Sequence, residues 1–125
     1  MARGPLRELY RSARAVLMPG EEDFGIAAVE AMGSGCPVIA YAAGGALETV
    51  RDVRQNVANP TGLLYKRQDV ESLAEAMLEL EGLTDRFVPS QMHEWARRFS
   101  PEQFRAGFQR IVGPLMQERN WTCPW

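Results

Sequence analysis

The chain has 125 residues, with 14 Lys and Arg against 16 Asp and Glu and a formal net charge of −2. Hydrophobic residues make up 46% and charged residues 24%, the composition of a soluble globular chain with one core. This balance gives no electrostatic footprint for nucleic acid or an anionic membrane, and no apolar run approaches the ~20 residues of a membrane span.

Leu6, Leu9, Tyr10 and Ala13 recur at helical spacing after Pro5, which predicts a short amphipathic helix over 5–13. Ala15-Val16-Leu17-Met18 is an all-apolar run ended by Pro19-Gly20 and reads as a strand covered on both faces, the kind found in parallel sheets. A loop over 21–24 then leads into a mostly apolar helix from Gly25 to about Met32, stopped by Gly33-Ser34-Gly35. Residues 37–41 form a second buried strand, Gly44-Gly45 a turn, 46–53 a short helix and 56–61 a loop. Residues 62–65 are a third strand. Val70, Leu73, Ala74, Met77 and Leu80 mark an amphipathic helix with Asp69 as N-cap. Ser100-Pro101 starts a last helix with the stripe Phe104, Phe108 and Ile111/Val112, which Gly113-Pro114 should end or kink. The tail through Trp121 and Trp125 shows no period, and the methionines fall at core positions.

This alternation implies an α/β fold of three layers, a short three-stranded parallel sheet flanked by helices with right-handed crossovers. The first strand is as apolar as a central one, yet no earlier strand exists in the chain to pair with it. An unpaired edge of that kind invites completion by another chain. The opening residues lead into a charged amphipathic stretch and not into a signal-peptide core, so the expected compartment is the cytoplasm. Cys36 and Cys123 make no disulfide framework, and Cys36 before a buried strand is expected as a reduced thiol. With His93 the one histidine, a structural zinc site is not expected. His93 reads as packed on a helix surface and Lys66-Arg67 as a solvated turn.

Chemistry concentrates between residues 19 and 50. A strand ends, a loop brings Glu21, Glu22 and Asp23, and a helix opens near Phe24-Gly25-Ile26. The first amides of a helix lack intrahelical partners and carry partial positive charge, so phosphate or sugar oxygens suit them. Gly25 permits close approach to the backbone. Open α/β sheets bind ligands at this carboxyl edge. Glu30 is an acid on an otherwise apolar helix and should face solvent or hold a polar ligand. A purely structural account is also open: Asp23 caps the helix, Glu22 is a solvated loop acid and Glu30 satisfies a neighbouring amide.

The stretch resembles the signature of the retaining GT-B glycosyltransferases of family 4, which transfer sugars from nucleotide-sugar donors. The matching positions are Glu22, Phe24, Gly25, Glu30, Ala31, Met32, Gly35, Pro37, Val38, Ile39, Ala40, Gly44, Gly45 and Glu48, followed by Thr61-Gly62-Leu63-Leu64. The likeness covers roughly residues 5–110, with the mannosyltransferase-like branch the most similar. It implies the second half of a GT-B C-terminal, Rossmann-like domain over 1–112, with 113–125 as a tail. It also implies a GDP- or UDP-linked hexose as donor substrate, possession of no metal or other cofactor, and transfer of a hexosyl, in particular a mannosyl, group. Glu22, the residue assigned to catalysis, would face the transferred sugar and contact its hydroxyls near the reacting carbon. Asp23, Phe24, Gly25, Ile26 and Glu30 would bind donor, with Glu30 on the ribose hydroxyls. Glu22 and Glu30 are not a glycosidase acid/base couple.

In that family the diphosphate is gripped by an Arg and a Lys from an earlier part of the domain, and the acceptor side comes from a separate N-terminal domain. Neither part is represented here, so the chain is expected not to be catalytically competent alone. Two other expectations accompany the donor-site reading: a non-catalytic binding subunit whose sheet another polypeptide completes, or a structural remnant that pairs with its own copy.

Overall fold

The computed structural model describes residues 4–21 and 26–118, except the side chains at 101, 104 and 116–118. Helix α1 (Gly4–Ser12) leads into strand β1 (Val16–Met18), then α2 (Ile26–Gly33), β2 (Val38–Tyr41), α3 (Ala46–Thr49), β3 (Gly62–Tyr65), α4 (Val70–Glu81), α5 (Pro89–Ala96) and α6 (Pro101–Glu118). The three strands form one parallel sheet in the order β1-β2-β3, with Val16 opposite Val38 and Val38 opposite Gly62. The expected α/β architecture is what the chain adopts.

Alternation along β2 divides the core. Val38 and Ala40 enter a cluster with Tyr10, Ala28, Val29, Ala31, Met32, Cys36 and Ala96, under α1, α2 and α5. Ile39 turns the other way, to Val53, Leu63, Tyr65, Ala76 and Leu80 under α4. The edge strand β1 is covered on one face only. Val16 and Met18 pack against the first cluster, whereas Leu17 keeps 40% of its surface exposed, which corrects the expectation of a strand covered on both faces.

Helix α2 ends as the glycines predict. Gly35 takes φ +83°, its amide donates to the Met32 carbonyl at 3.0 Å, and the Cys36 amide donates to the Ala31 carbonyl at 2.9 Å. This is a Schellman closure, which a left-handed glycine permits. Cys36 is buried and free, and burial pushes its thiol up to about 11. Cys123, Trp121 and Trp125 lie outside the described residues.

The helix after β2 is shorter than predicted, stopping at Thr49 instead of residue 53. Tertiary pairing outcompetes it. The Arg51 amide donates to Thr61 Oγ1 at 2.9 Å, the Thr61 and Gly62 amides donate to the Arg51 carbonyl, and Asp52 bridges Gly62 alongside the sheet. Asp52 then accepts from the Arg54 amide at 2.8 Å, opening a 3-10 turn over Val53–Gln55, from the Arg54 side chain at 2.8 Å and from the Leu64 amide at 3.1 Å.

Helix α4 carries the predicted cap, Asp69 accepting from the Ser72 amide at 2.7 Å. Its buried face is Ala76 and Leu80 with half-buried Leu73; Val70, at 83% exposure, Ala74 and Met77 face out, contrary to the predicted stripe. Among the described methionine side chains, Met77 is the one exposed to solvent. In α6 the Gln103 amide donates to Ser100 Oγ at 3.2 Å, the expected cap. The helix does not end at Gly113-Pro114 but continues to Glu118. Residues 110 and 114 are both exposed, so water can take the bond that the missing proline amide forgoes. Phe108 and Val112 are half-buried and Ile111 is exposed, which narrows the predicted stripe. Leu6 and Leu9 are exposed as well, leaving Tyr10 as the anchor of α1.

Burial alone would raise the Asp52 carboxyl, but hydrogen bonds from the Arg54 side chain and from the Arg54 and Leu64 amides, with the Arg54 charge, hold it below the usual carboxylate range. The stability this carboxylate contributes is present above its unfolded pKa of about 3.9 and is lost as pH falls through the lower folded value. Asp52→Asn should therefore destabilise the fold by roughly 1–3 kcal/mol at pH 7 and flatten the acid limb of a plot of urea midpoint against pH. An acid limb as steep as in the parent chain would count against this account. A second prediction concerns Gly62, where an added Cβ would lie 2.0 Å from the Val38 carbonyl oxygen. Gly62→Ala should cost about 3 kcal/mol or more in urea unfolding. Gly113→Ala in α6, with nothing within 4 Å, should be stabilising by about 0.5–1 kcal/mol.

Candidate functional site

Helices α2, α3 and α4 each follow a parallel strand, so their first turns gather at the carboxyl edge of the sheet. The 19–25 segment connects the end of β1 to α2 there. Glu22, Asp23, Phe24 and Gly25 fall outside the described residues; Ile26 and Glu30 are the site residues the structure places. Ile26 opens α2 and is 66% exposed, unusual for a large apolar side chain on a helix whose Ala28, Val29, Ala31 and Met32 are buried. Glu30 follows one turn later and is half-buried.

Tyr10 of α1 packs in the same cluster as Ala28, Val29, Ala31 and Met32 of the helix that carries Glu30. Burial raises the Tyr10 phenol first, and the neighbouring Glu30 charge and Cys36 add to the rise. A cavity of about 450 Å³ opens on this side of α2, lined by Arg7 and Arg11 of α1, Glu30, the Gly33-Ser34-Gly35 turn, and Pro89, Ser90 and His93 of α5. Its floor is held in two places. The Gly35 Cα meets Pro89, where an added Cβ would stand 3.0 Å from the proline Cβ, and His93 Nδ1 lies 3.0 Å from the Gly33 carbonyl. His93 is thus exposed on a helix surface, as the sequence suggested, while also fastening α5 to the end of α2.

Arg7 and Arg11 were not selected from the sequence. Their i, i+4 spacing puts them on one face of α1, next to Tyr10, and that spacing is the signal that could have found them. Arg11 Nη1 lies 3.3 Å from Glu8 in an exposed pair. Lys66 and Arg67 are exposed, as the sequence suggested, and Arg67 Nε lies 3.3 Å from Asp69. A second cavity, of about 410 Å³, lies at the ends of β1 and β3, among Pro19, Gly20, Tyr65, Gln68, Asp69, Val70 and Leu73. Gln68 Nε2 donates across it to the Pro19 carbonyl at 3.1 Å. Among the described residues no three His, Cys, Asp or Glu side chains stand close enough together to hold a metal ion, and no helix is long and apolar enough to cross a membrane.

The sequence profile of the family described as "Glycosyl transferases group 1" matches residues 1–98. The D-inositol 3-phosphate glycosyltransferase of Nocardia farcinica is 39% identical over 82 residues, 65% of this chain and 17% of that protein. The D-inositol 3-phosphate glycosyltransferase of Mycobacterium tuberculosis is 33% identical over 123 residues, 91% of this chain and 24% of that protein. Among solved structures, sucrose-phosphate synthase from Thermosynechococcus elongatus superposes with a TM-score of 0.72 at 30% identity, covering 88% of this chain and 27% of that one. The chain thus spans about a quarter or less of the curated relatives it matches. With its parallel sheet, its flanking helices and a profile match over most of its length, the chain belongs to the group 1 glycosyl transferases and has their GT-B, Rossmann-like architecture.

Proposed function

We propose that the chain supplies part of the nucleotide-sugar donor site of a retaining, family 4 glycosyltransferase that transfers a hexosyl group, in particular a mannosyl group, from a GDP- or UDP-linked donor. The supporting observation is the placement of Glu30. It is a half-buried carboxylate on an otherwise apolar helix, one turn in from the carboxyl edge of a parallel sheet. In this reading Glu30 accepts hydrogen bonds from two adjacent ribose hydroxyls, which suits a carboxylate with two oxygens. Asp23 and the amides of Phe24, Gly25 and Ile26 hold donor oxygens at the start of α2, and Glu22 contacts the transferred sugar near its reacting carbon. Charge that develops as the diphosphate departs is stabilised by fixed backbone dipoles, with no metal or other cofactor required.

A second reading rests on the outer edge of β1. That strand pairs with β2 alone among the described residues and exposes Leu17. A second polypeptide, or another copy of this chain, would complete the sheet there, making the chain a binding subunit or a self-associating remnant.

Backbone amide shifts during titration with GDP-mannose and UDP-glucose test the donor reading. Shifts should cluster over residues 24–30 and vanish in Glu30→Ala. An unchanged spectrum at millimolar donor would sink it, and a homodimer indifferent to donor would favour the self-associating remnant.

A further inference from the structure

Trp95 of α5 is the fixed point of a polar cavity that lies apart from the start of α2. Its indole Nε1 donates to the Thr49 carbonyl at 2.8 Å, and Phe99 meets the ring edge-on with centroids 5.9 Å apart. Two guanidinium groups rest on this one ring, Arg51 at 4.5 Å and Arg98 at 4.4 Å from its centre. Arg51 Nε also donates to the Ala58 carbonyl at 2.8 Å, which holds the loop before β3 against the same cluster. Asn59 follows in the left-handed region, at φ +57°. Together Asn59, Glu94, Trp95, Arg97, Arg98 and Gln103 line a cavity of about 250 Å³. It belongs to the amino edge of the sheet, because Asn59 lies just ahead of β3 and Asp52, next to Arg51, bridges Gly62 at that strand's first residue. The start of α2 lies at the opposite, carboxyl edge.

The charges around this cavity do not balance. Arg97 lies 3.1 Å from Glu94 in an exposed pair, which contributes little. Among the described residues neither Arg51 nor Arg98 has a carboxylate partner. Three cations and one carboxylate therefore meet in a chain whose net charge is −2, so the excess is local and not a consequence of composition. Packing on the indole leaves the guanidinium charge intact and restricts the arginine rotamers, so the donors are already ordered when a ligand arrives. Planar guanidinium forks match phosphate oxygens, and the Asn59 and Gln103 amides add neutral donors and acceptors beside them. We propose that this cavity binds a phosphate group, free or as the monoester of a small metabolite, at a site separate from the donor site. A cavity of about 250 Å³ falls below the usual range for drug-sized ligands, which suits a phosphate with at most a small substituent.

The test titrates the full chain with inorganic phosphate and with glycerol phosphate, at an ionic strength held constant with sodium chloride. Saturable shifts should appear in the Trp95 indole N–H and in the side-chain N–H signals of Arg97 and Arg98. Arg98→Gln should weaken binding about tenfold or more, and Arg97→Gln should weaken it as well. Arg98→Lys keeps the charge but loses the fork, and should retain part of the affinity. Arg110→Gln removes the same charge from an exposed position of α6 that does not line the cavity, and should leave binding unchanged. Arg97 and Arg98 are exposed, so these variants should keep the parent amide spectrum; if Arg98→Gln loses it, Arg97→Gln carries the same test. Tighter binding of glycerol phosphate marks a phosphorylated metabolite as the ligand, and affinity for inorganic phosphate that equals or exceeds it marks free phosphate. No saturable shift at tens of millimolar of either probe, or an equal loss in Arg98→Gln and Arg110→Gln, overturns the proposal.

Discussion

The fold hangs on β2, which among the described residues is the one strand with a neighbour on each side and a covered surface on each face. Val38, Ile39 and Ala40 are all but sealed from solvent, and burial of each large apolar side chain of this kind contributes roughly 1.5–3 kcal/mol. Because successive side chains point to opposite faces, that gain requires a helix layer on both. Helices α1, α2 and α5 fill one side and α4 the other. Gly62 is the local condition for this arrangement, since only a residue without a Cβ lets β3 lie in register against the Val38 carbonyl. Once β2 is central and its neighbours are parallel, the connecting helices must open at the carboxyl edge. The location of Glu30 is a consequence of that packing.

Much of this architecture was legible in the sequence because the signals were local. The runs at 37–41 and 62–65, the Gly-Ser-Gly stop, the Asp69 cap and the Ser100-Pro101 start each specify their own backbone, and each appears within a residue or so of its expected place. The misreadings share a tertiary cause. Residues 50–53 have acceptable helical propensity, but the Arg51 carbonyl and amide find better partners in Thr61 and Gly62, and Asp52 finds Arg54. On α4 the periodicity put Val70, Ala74 and Met77 inward and passed over Ala76. A sheet of three strands is narrow, so it covers a thinner stripe of the helix than the pattern offers. Leu17 is exposed for the same reason: the α4 layer reaches β2 and β3 and leaves that face of the edge strand open.

The site was legible in a different way. A lone acid on an apolar helix, and an acidic loop leading from a strand into a helix start, drew attention to Glu30 and to Phe24-Gly25-Ile26, and the family profile that matches residues 1–98 agrees with the glycosyltransferase resemblance. That Arg7 and Arg11 line a cavity was not legible, because two charges one turn apart on a surface helix look like any solvated face. His93 was read as a surface residue and is one, but its hydrogen bond to the Gly33 carbonyl spans 60 positions and left no trace in local sequence.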